Sequence, residues 1–465
     1  MASDWQLKTI AECASNEPYS TQIGPFGKAL MANEYTETGI PVLRGVNVNF
    51  GRFHDDDYVF VSEEIADKLS KFESYPGDVL LVHKGTLGKI GLMPKKRKYK
   101  RYIMGNSMMR VKCDPTKLLP EFLYYWLSSG DGQQYIFSRV SQVGVPQLQT
   151  PLTTLRQASL PIPSIDEQRA IVDILGSLDE ALELNQKMNQ TLEAMARAIF
   201  KSWFVDFDPV RAKAEGREPE GMDAATAALF PSAFEDSELG PIPQGWKAIS
   251  FGALLESAIG GDWGKDEPDE VHTKQVAIIR GTDMPTIQAG YTSSIPARFV
   301  SAKKLQSRRL RDSDIIIEVS GGSPKQPTGR SIFVSDALLE QLSIPTVPAS
   351  FCRLFRATDP RVGLLLSQHL SHIYGEGKMW GYQNQSTGIS NFQTKHFLES
   401  EYVCLPSDKV LDAFQQIVRP MIDKQQFKIA STLADLRDTL LPRLISGKLR
   451  VPEAEAMLMG GLHEV

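Results

Sequence analysis

Features that would mark a special class of protein are scarce in this sequence. Only four of its 465 residues are cysteines, namely Cys13, Cys113, Cys352 and Cys404, and no two of them form a CxxC pair. This scarcity excludes a disulfide framework and a cysteine-based zinc site, and it favours a reducing cytoplasm. No segment approaches the roughly 18 consecutive apolar residues that a membrane helix needs. The first residues lack a basic stretch followed by an apolar core, so we expect no secretory signal.

Catalytic motifs are missing as well. Gly-Lys pairs begin at Gly27, Gly88, Gly264, Gly377 and Gly447. None of them continues with Ser or Thr, as the phosphate-binding P-loop requires. The sequence has no HExxH motif, no Asn/Asp-Pro-Pro-aromatic run of the kind that amino-group methyltransferases use, and only seven dispersed histidines. The acidic run at residues 55–57 is typical of a solvated loop. We therefore expect neither an active site nor a bound metal.

A strong charge of either sign is also lacking. The net charge is −5, from 51 Lys and Arg against 56 Asp and Glu, which by itself argues against a nucleic-acid partner. The average hides a partition, because residues 1–160 carry a net charge of +3 and residues 240–404 carry +1, whereas the remainder carries −9. Local clusters must therefore indicate the partner.

What the sequence does contain is a repeat of itself. Landmarks recur in the same order at an offset that drifts only from 236 to 244 residues. The matching pairs are Val42–Gly45 with Ile278–Gly281, Gly77–Leu80 with Ser313–Ile316, Ser107–Arg110 with Ser350–Arg353, and Gly144–Thr150 with Gly388–Thr394. Trp5 and Trp246 open the two copies. Chance matches would not stay in order, so the pattern predicts a duplication. Short apolar runs between Gly- and Pro-marked turns predict strands with some helices in the first part of each copy.

The second part of each copy is predicted to be helical. Ser164–Glu167 is a capping box, so a helix should begin there. Apolar residues follow at heptad spacing, with Asn185 and Asn189 in the same seam: Ile171, Leu175, Leu178, Leu182, Leu192, Ala196, Ile199 and Trp203. The second copy has a matching stripe: Leu411, Phe414, Val418, Ile422, Gln425, Ile429, Leu433, Leu436 and Leu440. Such stripes favour an antiparallel pair of helices; the alternative is that each helix packs on its own globular neighbour. Pro420 should kink or break the second helix.

Two segments are expected to lie outside these elements. Residues 206–245 are rich in Ala, Glu, Pro and Gly, and they predict a solvated connector with a short helix at Asp223–Phe230. The tail from Val451 is expected to be poorly ordered.

Local cation clusters indicate contact with nucleic acid. Six of the seven residues in Lys95–Arg101 are cations, and this run follows a glycine-rich turn at His83–Lys89. In the second copy, cations cluster at residues 303–311, and Ser320–Gln326 is the matching glycine-rich turn. A charge run alone is often only a solvated surface, but clusters at related places in both copies favour phosphate contacts.

The candidate DNA-binding residues are cations and amides. The cations are Lys84, Lys89, Lys95, Lys96, Arg97, Lys100, Arg101, Lys303, Lys304, Arg308, Arg309, Arg311 and Lys325. The amides are Gln326, Asn384, Gln385 and Asn391. Amide side chains can pair with adenine edges in the major groove; the alternative is that these amides only cap local turns.

The motifs around the two helices resemble those of the specificity subunits of Type I restriction–modification enzymes. The motifs are the helix entry Leu160–Gln168, the run Phe200–Phe207 and the end Leu440–Leu449. The resemblance covers essentially the whole chain. It implies an α+β fold with two α/β target-recognition domains in a pseudo-two-fold repeat, joined by a long antiparallel, coiled-coil-like helix pair. The implied segments are recognition domains at 1–160 and 241–405, spacer helices at 161–205 and 406–449, a connector at 206–240 and a tail at 450–465.

The resemblance also implies a function. Each recognition domain would read one half of a bipartite, asymmetric DNA site, and the helices would set the distance between the halves. Two adenine methyltransferase subunits that bind S-adenosylmethionine would dock on the chain, with restriction (nuclease/translocase) subunits that use ATP and Mg²⁺. The chain itself would be non-catalytic and bind no cofactor. Two other functions stay open from the residues alone, namely a single-chain DNA methyltransferase or nuclease with an unrecognised active site, and a coiled-coil scaffold protein.

Overall fold

The structure, a computed structural model, describes residues 5–49, 52–141, 144–323, 325–386 and 389–462. The chain forms two compact units, of which unit 1 comprises Met1–Ala181 and Leu433–Val465 and unit 2 comprises Leu182–Thr432. Both units combine small sheets with helices, which confirms the predicted α+β class. Within the described residues, no helix is both long enough and apolar enough to cross a membrane.

Unit 1 is built on a four-stranded antiparallel sheet and a three-stranded mixed sheet. The four-stranded sheet has the order Thr21–Ile23, Met108–Val111, Val79–Val82, Ile90–Leu92, and the three-stranded sheet has the order Val59–Val61, Ile40–Leu43, Ile103–Met104. Shorter pairs are Gln6–Thr9 with Ser159–Ile162, Val140–Ser141 with Gln147–Leu148, and Val48–Asn49 with Arg52–Phe53. The globular helices are Ile10–Cys13, Glu63–Lys68, Pro120–Ser128, Gly130–Phe137 and Pro151–Gln157. Val42, Leu80 and Ile103 join both sheets in one buried core.

Unit 2 repeats this arrangement. Its four-stranded sheet has the order Leu255–Gly260, Cys352–Ala357, Ile315–Glu318, Ser331–Phe333, and its mixed sheet has the order Ala297–Val300, Lys274–Ile279, Thr346–Pro348. A third sheet has the order Ser320–Gly321, Ile389–Phe392, Gln383–Ser386; the two-stranded pairs are Lys247–Ser250 with Tyr402–Leu405 and Phe234–Ser237 with Gly240–Pro243. The globular helices are Met284–Gln288, Ala302–Arg308, Asp336–Leu342, Pro360–Gly375 and Thr394–Ser400.

The matching strand orders confirm the duplication, with one correction. In unit 1 Met108 lies opposite Val82, and in unit 2 Cys352 lies opposite Glu318. Met108 therefore corresponds to Cys352 at an offset of 244, not to Phe351 as the match of Ser107–Arg110 with Ser350–Arg353 implies. The predicted match is wrong by one residue, and such a slip moves every side chain to the other face of a strand.

The long helices pair antiparallel within each unit, as predicted. The central helix runs over Ile165–Phe204, and Ser164 Oγ accepts a hydrogen bond from the Glu167 backbone N–H at 3.3 Å. In unit 1, Asp179 contacts Arg437 at 3.5 Å and Glu167 contacts Arg450 at 2.7 Å.

Unit 2 shows the same antiparallel order. Gln425 Nε2 donates to the Asn189 carbonyl oxygen at 3.1 Å, and the rings of Phe200 and Phe414 lie 6.4 Å apart. The central helix also packs on globular residues, because Tyr125 of unit 1 donates to Asp179 at 2.9 Å. The alternative that each helix packs on its own globular neighbour therefore describes part of the packing as well.

The C-terminal helix is broken, but not at Pro420. It consists of Asp408–Gln425 and Ile429–Ile445, and Pro420 lies inside the first of these. Pro420 and Gln416 are both exposed, so water can solvate the carbonyl group that the proline leaves unpaired. The break follows Gln426, whose buried amide donates to the Phe333 carbonyl oxygen at 2.6 Å and accepts from Ser335 Oγ at 2.6 Å. Anchoring to the globular part interrupts the helix.

Two further expectations are wrong. The segment predicted as a solvated connector contains helices Asp208–Ala214 and Ala224–Ala228, and it buries Val210 and Phe230 in one cluster with Trp203. The short helix inside Asp223–Phe230 is confirmed. The tail predicted to be poorly ordered forms helix Val451–Leu462, in which Ala454 is fully buried.

Candidate nucleic-acid interface

One end of the four-stranded sheet in unit 1 carries an exposed polar pair. The His83 backbone N–H donates to the Ser107 carbonyl oxygen at 2.9 Å, and the His83 carbonyl oxygen accepts from the Leu148 N–H at 2.9 Å. The next residue, Lys84, is bridged to Gln147, and both side chains are exposed. We call Lys84 and Gln147 the polar edge of unit 1.

The corresponding end of the sheet in unit 2 has the same backbone frame. The Val319 N–H donates to the Phe351 carbonyl oxygen at 2.9 Å, and the Val319 carbonyl oxygen accepts from the Phe392 N–H at 2.9 Å. Ser320, Asn391 and Asn384 then lie side by side on three neighbouring strands. These three residues form the polar edge of unit 2.

The two asparagines of this edge are held by local hydrogen bonds. Ser320 Oγ donates to Asn391 Oδ1 at 3.0 Å, and Gln393 Nε2 donates to Asn384 Oδ1 at 2.8 Å. Both asparagines are exposed, and in the described part of the chain neither Nδ2 atom donates a hydrogen bond. These bonds orient the amides and leave their donors for a ligand.

The other predicted residues of this region differ in accessibility. Lys325 is exposed, whereas the Gln326 amide lies 3.1 Å from the Tyr374 hydroxyl and is engaged within its own unit. The side chain of Gln385 lies outside the described residues, as does Pro324 of the predicted glycine-rich turn.

Sequence reasoning missed several residues beside the polar edges. Gln147 of unit 1 lies at the edge itself, and an open groove of about 570 Å³ in unit 2 is lined by Arg353, Gln393, Lys395 and His396 among others. The repeat of Gly144–Thr150 in Gly388–Thr394 was the available signal, because it places Gln147 where unit 2 has Asn391.

The basic run of unit 1 lies away from the polar edge. The Met93 N–H donates to the Asp78 carbonyl oxygen at 2.9 Å, so Met93 and the run after it begin at the opposite end of strand Val79–Val82 from His83. Lys95, Lys96 and Lys100 are exposed, so they are accessible for the phosphate contacts that the sequence predicts.

The two arginines of the run are held by the protein. The Arg97 guanidinium lies 5.8 Å from the Tyr102 ring centroid. Arg101 forms ion pairs with Glu63 and Asp67 at 2.9 Å each, and with Glu73 at 3.4 Å. Arg101 therefore fastens the run to helix Glu63–Lys68.

A carboxylate lies beneath this run. Tyr58 and Tyr102 donate to Asp55 Oδ1 at 2.8 and 2.7 Å, and the Lys98 backbone N–H donates to Asp55 Oδ2 at 2.7 Å. Burial and the neighbouring carboxylate raise the pKa of Tyr102 to about 12. The expectation that residues 55–57 form only a solvated loop is therefore wrong for Asp55, which organises the loop, although Asp56 and Asp57 are exposed.

The cation cluster of unit 2 borders its polar edge only in part. Lys304 lies 3.7 Å from Asp262, and Arg308 Nε donates to the Gly260 carbonyl oxygen at 2.7 Å, at the end of strand Leu255–Gly260. Lys303 and the exposed Arg309 continue the cluster, whereas the Arg311 N–H donates to Asp314 at 2.7 Å, near the opposite end of the sheet.

The two basic clusters do not occupy related places, contrary to expectation. The cluster of unit 2 lies on helix Ala302–Arg308, which follows strand Ala297–Val300. The corresponding helix of unit 1, Glu63–Lys68, follows strand Val59–Val61 and is acidic in its first turn. Lys89, in the glycine-rich turn of unit 1, donates to the Gly45 carbonyl oxygen at 3.3 Å. The expectation was wrong because the clusters were compared by their charge alone, without the strand and helix order that determines which segments of the two units correspond.

Among the described residues, no group of three or more His, Cys, Asp or Glu side chains could hold a metal ion.

Comparison with known proteins gives consistent results. Residues 21–194 match the family described as Type I restriction modification DNA specificity domain. The HindI specificity subunit of Haemophilus influenzae is 28% identical over 382 residues, which cover 75% of this chain and 81% of that protein. The MjaIX specificity subunit of Methanocaldococcus jannaschii is 23% identical over 465 residues, covering 97% and 94%. A crystal structure of a Type I restriction–modification S subunit from M. genitalium has the same fold, with a TM-score of 0.54 and 16% identity over 95% of this chain and 96% of that one.

Proposed function

Because this chain is related to the specificity subunits of Type I restriction enzymes, which are DNA-recognition proteins and not enzymes, we propose that it reads a bipartite, asymmetric DNA site. Each unit reads one half of the site at its polar edge. The observation that carries the proposal is that the two units repeat one backbone frame and place different side chains on it.

The polar edges have suitable chemistry for reading bases. An amide can donate to and accept from adenine in the major groove, and a lysine can donate to guanine. Unit 1 offers Lys84 and Gln147, whereas unit 2 offers Asn384 and Asn391. Different side chains on equivalent strands read different bases, which makes the two half-sites unequal.

The exposed cations supply sequence-independent affinity. Lys95, Lys96 and Lys100 in unit 1, and Lys303, Arg309 and Lys325 in unit 2, are free to approach phosphates. Each such contact releases a counterion, so binding should weaken steeply with salt.

The paired helices act as a spacer in this proposal. One heptad can be inserted after Leu192 and another after Met421, because both positions lie between the Asn189–Gln425 and Phe200–Phe414 contacts. A heptad adds about 10 Å of helix, or roughly three base pairs of DNA. The insertions should lengthen the gap between the half-sites and leave both half-sites unchanged. An active variant with an unchanged gap would refute the spacer.

The proposed partners are duplex DNA, two methyltransferase subunits and the restriction subunits, in the cytoplasm. S-adenosylmethionine, ATP and Mg²⁺ would bind to those subunits. The four cysteines of this chain are all free thiols, which is compatible with that compartment. Co-purification of the tagged chain with the modification subunits would test the assembly.

Selection from a randomised duplex library tests the function itself. The chain, assembled with the modification subunits, should enrich a motif of two half-sites separated by a fixed gap. Replacing residues 241–405 by the equivalent domain of a relative should change one half-site only. A change in both halves would refute the modular assignment. Cleavage or methylation by the purified chain alone would favour an enzyme, and binding without sequence preference would favour a scaffold.

A further inference from the structure

An exposed aromatic ring stands at the same end of the sheet as each polar edge, in a turn that the two units share. Gly24–Lys28 reads Gly-Pro-Phe-Gly-Lys, and Gly261–Lys265 reads Gly-Asp-Trp-Gly-Lys. The side chain of Phe26 is 64% exposed and that of Trp263 is 38% exposed. A single exposed aromatic residue needs no explanation, but the same arrangement at equivalent places in both units does.

The first glycine of each turn is required by close packing. The Gly24 N–H donates to the Met108 carbonyl oxygen at 2.8 Å, and the Gly261 N–H donates to the Cys352 carbonyl oxygen at 3.0 Å. A Cβ atom would lie 1.9 Å from the Gly105 oxygen in unit 1 and 2.1 Å from the Ala349 oxygen in unit 2. No other residue fits at either position.

The second glycine is required by the backbone conformation. Gly27 has a φ of +58° and Gly264 a φ of +61°, in the left-handed region that favours glycine. Both turns therefore present the ring between two constrained glycines, which fixes its position on the sheet.

Each ring is supported on one side by a planar group. The Phe26 ring lies 6.3 Å from the imidazole of His83, the residue that precedes Lys84. The Trp263 ring lies 4.4 Å from the Arg298 guanidinium, which donates to the Trp263 carbonyl oxygen at 2.6 Å and is ion-paired with Asp266. The support leaves part of each ring open to solvent.

The rings lie at the same end of the sheet as the polar edges. In unit 1, Met108 accepts from Gly24, and the preceding residue Ser107 accepts from His83. In unit 2, Cys352 accepts from Gly261, and the preceding residue Phe351 accepts from Val319. Phe26 thus stands two strands away from Lys84, and Trp263 two strands away from Ser320, which are the nearest residues of the two polar edges.

We infer that Phe26 and Trp263 pack against bases of duplex DNA, one ring in each half-site. The inference rests on the proposed function. Apolar side chains of DNA-binding proteins insert between base steps and partly unstack them, and aromatic rings stack on bases of any sequence. In unit 2, Lys304 lies 3.7 Å from Asp262 and Arg308 donates to the Gly260 carbonyl oxygen, so positive charge adjoins the Trp263 ring and attracts the phosphate backbone. The rings therefore increase the affinity and hold the DNA in position, whereas the polar edges supply the sequence preference.

Cross-linking tests the contact without relying on a variant. A mixed-sequence duplex containing 5-iodouracil in place of thymine is bound to the full chain assembled with the modification subunits. The sample is irradiated and digested, and cross-linked peptides are identified by mass spectrometry. We expect cross-links at Phe26 and at Trp263. Tyr75 is the matched control, because it is 43% exposed and its N–H donates to Asp78, at the opposite end of the sheet.

Substitutions give a second readout. Phe26→Ala and Trp263→Ala should each weaken binding to this duplex by about 5- to 100-fold, because removing a side chain that stacks on a base costs that much, whereas Tyr75→Ala should bind as the wild type does. Phe26→Trp and Trp263→Phe each keep an aromatic ring at the position and should bind as the wild type does.

Three outcomes would overturn the inference. If the wild type binds DNA without cross-links at either ring and both alanine variants bind with unchanged affinity, the ring contacts are refuted and the proposed function still stands. Loss of the modification subunits from the alanine variants, with DNA binding unchanged, assigns the rings to a protein partner instead. Failure of the wild-type complex to bind DNA refutes the proposed function and this inference together.

Discussion

Unit 1 and unit 2 share one strand order but distribute charge in opposite ways. In unit 1 the helix after the outer strand of the mixed sheet is acidic, and Arg101 of the basic run pairs with it through Glu63 and Asp67. In unit 2 the corresponding helix carries Lys304 and Arg308. The backbone hydrogen bonds that build the sheets are repeated, whereas the side chains on their surface are not. The duplication therefore preserves the backbone frame and leaves each unit with its own set of surface side chains.

A second difference lies in the interior. The Ile10 N–H donates to the Ala158 carbonyl oxygen at 2.9 Å in unit 1, and the Phe251 N–H donates to the Glu401 carbonyl oxygen at 2.7 Å in unit 2. At this one equivalent place, unit 1 buries a methyl group and unit 2 buries a carboxylate. Unit 2 thus has a polar network where unit 1 has simple packing.

The Glu401 network makes unit 2 sensitive to acid. Glu401 is 1% exposed and accepts from His369 at 2.8 Å, from Lys378 at 2.9 Å and from Tyr382 at 2.6 Å. Burial alone would raise the pKa of Glu401, but these hydrogen bonds outweigh burial and lower the pKa to about 2. A depressed pKa contributes stability above the unfolded value of about 4.5, and this contribution is lost as the pH falls towards 2.

The largest expected effect is therefore on the stability of unit 2. Glu401→Gln should lower its free energy of unfolding by about 3 kcal/mol near neutral pH. It should also remove the part of the stability loss between pH 4.5 and 2 that comes from protonation of Glu401. Hydrogen exchange should accelerate in strand Tyr402–Leu405 and not in the equivalent strand Ser159–Ile162. Glu399→Gln, at an exposed carboxylate, is the control. Equal acceleration in both strands would show that the units do not differ in this way.

The second prediction separates free cations from structural ones. Lys96→Gln in unit 1 and Lys303→Gln in unit 2 should each reduce the slope of log affinity against log salt by about 0.9, for a single phosphate contact. Arg101→Gln should leave the slope unchanged and lower stability instead, because its guanidinium is held by three carboxylates. Binding isotherms at several salt concentrations measure both effects. A wild-type slope in Lys96→Gln would mean that the basic run is solvated surface.

The smallest expected effect concerns the helix seam. In unit 1 the central helix buries Ile171, Leu175 and Leu178, whereas in unit 2 it buries Asn189, whose side-chain nitrogen and oxygen have no hydrogen-bond partner in the described part of the chain. Asn189→Leu should raise stability by about 1 kcal/mol, because an unpaired buried amide is replaced by an apolar group. Thermal unfolding measures the change. The matched control is Gln190→Leu, which replaces an exposed amide of the same helix and should not raise stability in this way. Destabilisation by Asn189→Leu would show that the amide fixes the pairing of the helices.

Local patterns allowed much of the fold to be predicted. The central helix is encoded by signals that lie on the helix itself, namely the capping box at Ser164 and the heptad stripe. Its start and its buried face could therefore be predicted from the sequence. The register of the strand that contains Met108 could not be predicted in this way, because it depends on pairing with the neighbouring strand Val79–Val82. The helix break at Gln426 comes from a hydrogen bond to Phe333, far away in the sequence.

The candidate site was predictable only in part. Asn384 and Asn391 stood out as amides, and the structure places them on neighbouring strands of one edge. Arg101 also stood out as a cation, but its carboxylate partners Glu63 and Asp67 lie more than 30 residues away. Sequence reveals which side chains are charged, whereas the topology decides which of them remain free.

The central claim is that the two polar edges read different halves of one DNA site. Selection from a randomised duplex library, followed by sequencing, tests it with wild type, Gln147→Ala and Asn391→Ala. We predict that the wild-type complex enriches two half-sites, that Gln147→Ala relaxes base preference in one half, and that Asn391→Ala relaxes it in the other. Relaxation of the same half-site by both substitutions, or an unchanged motif in both variants, would contradict the account.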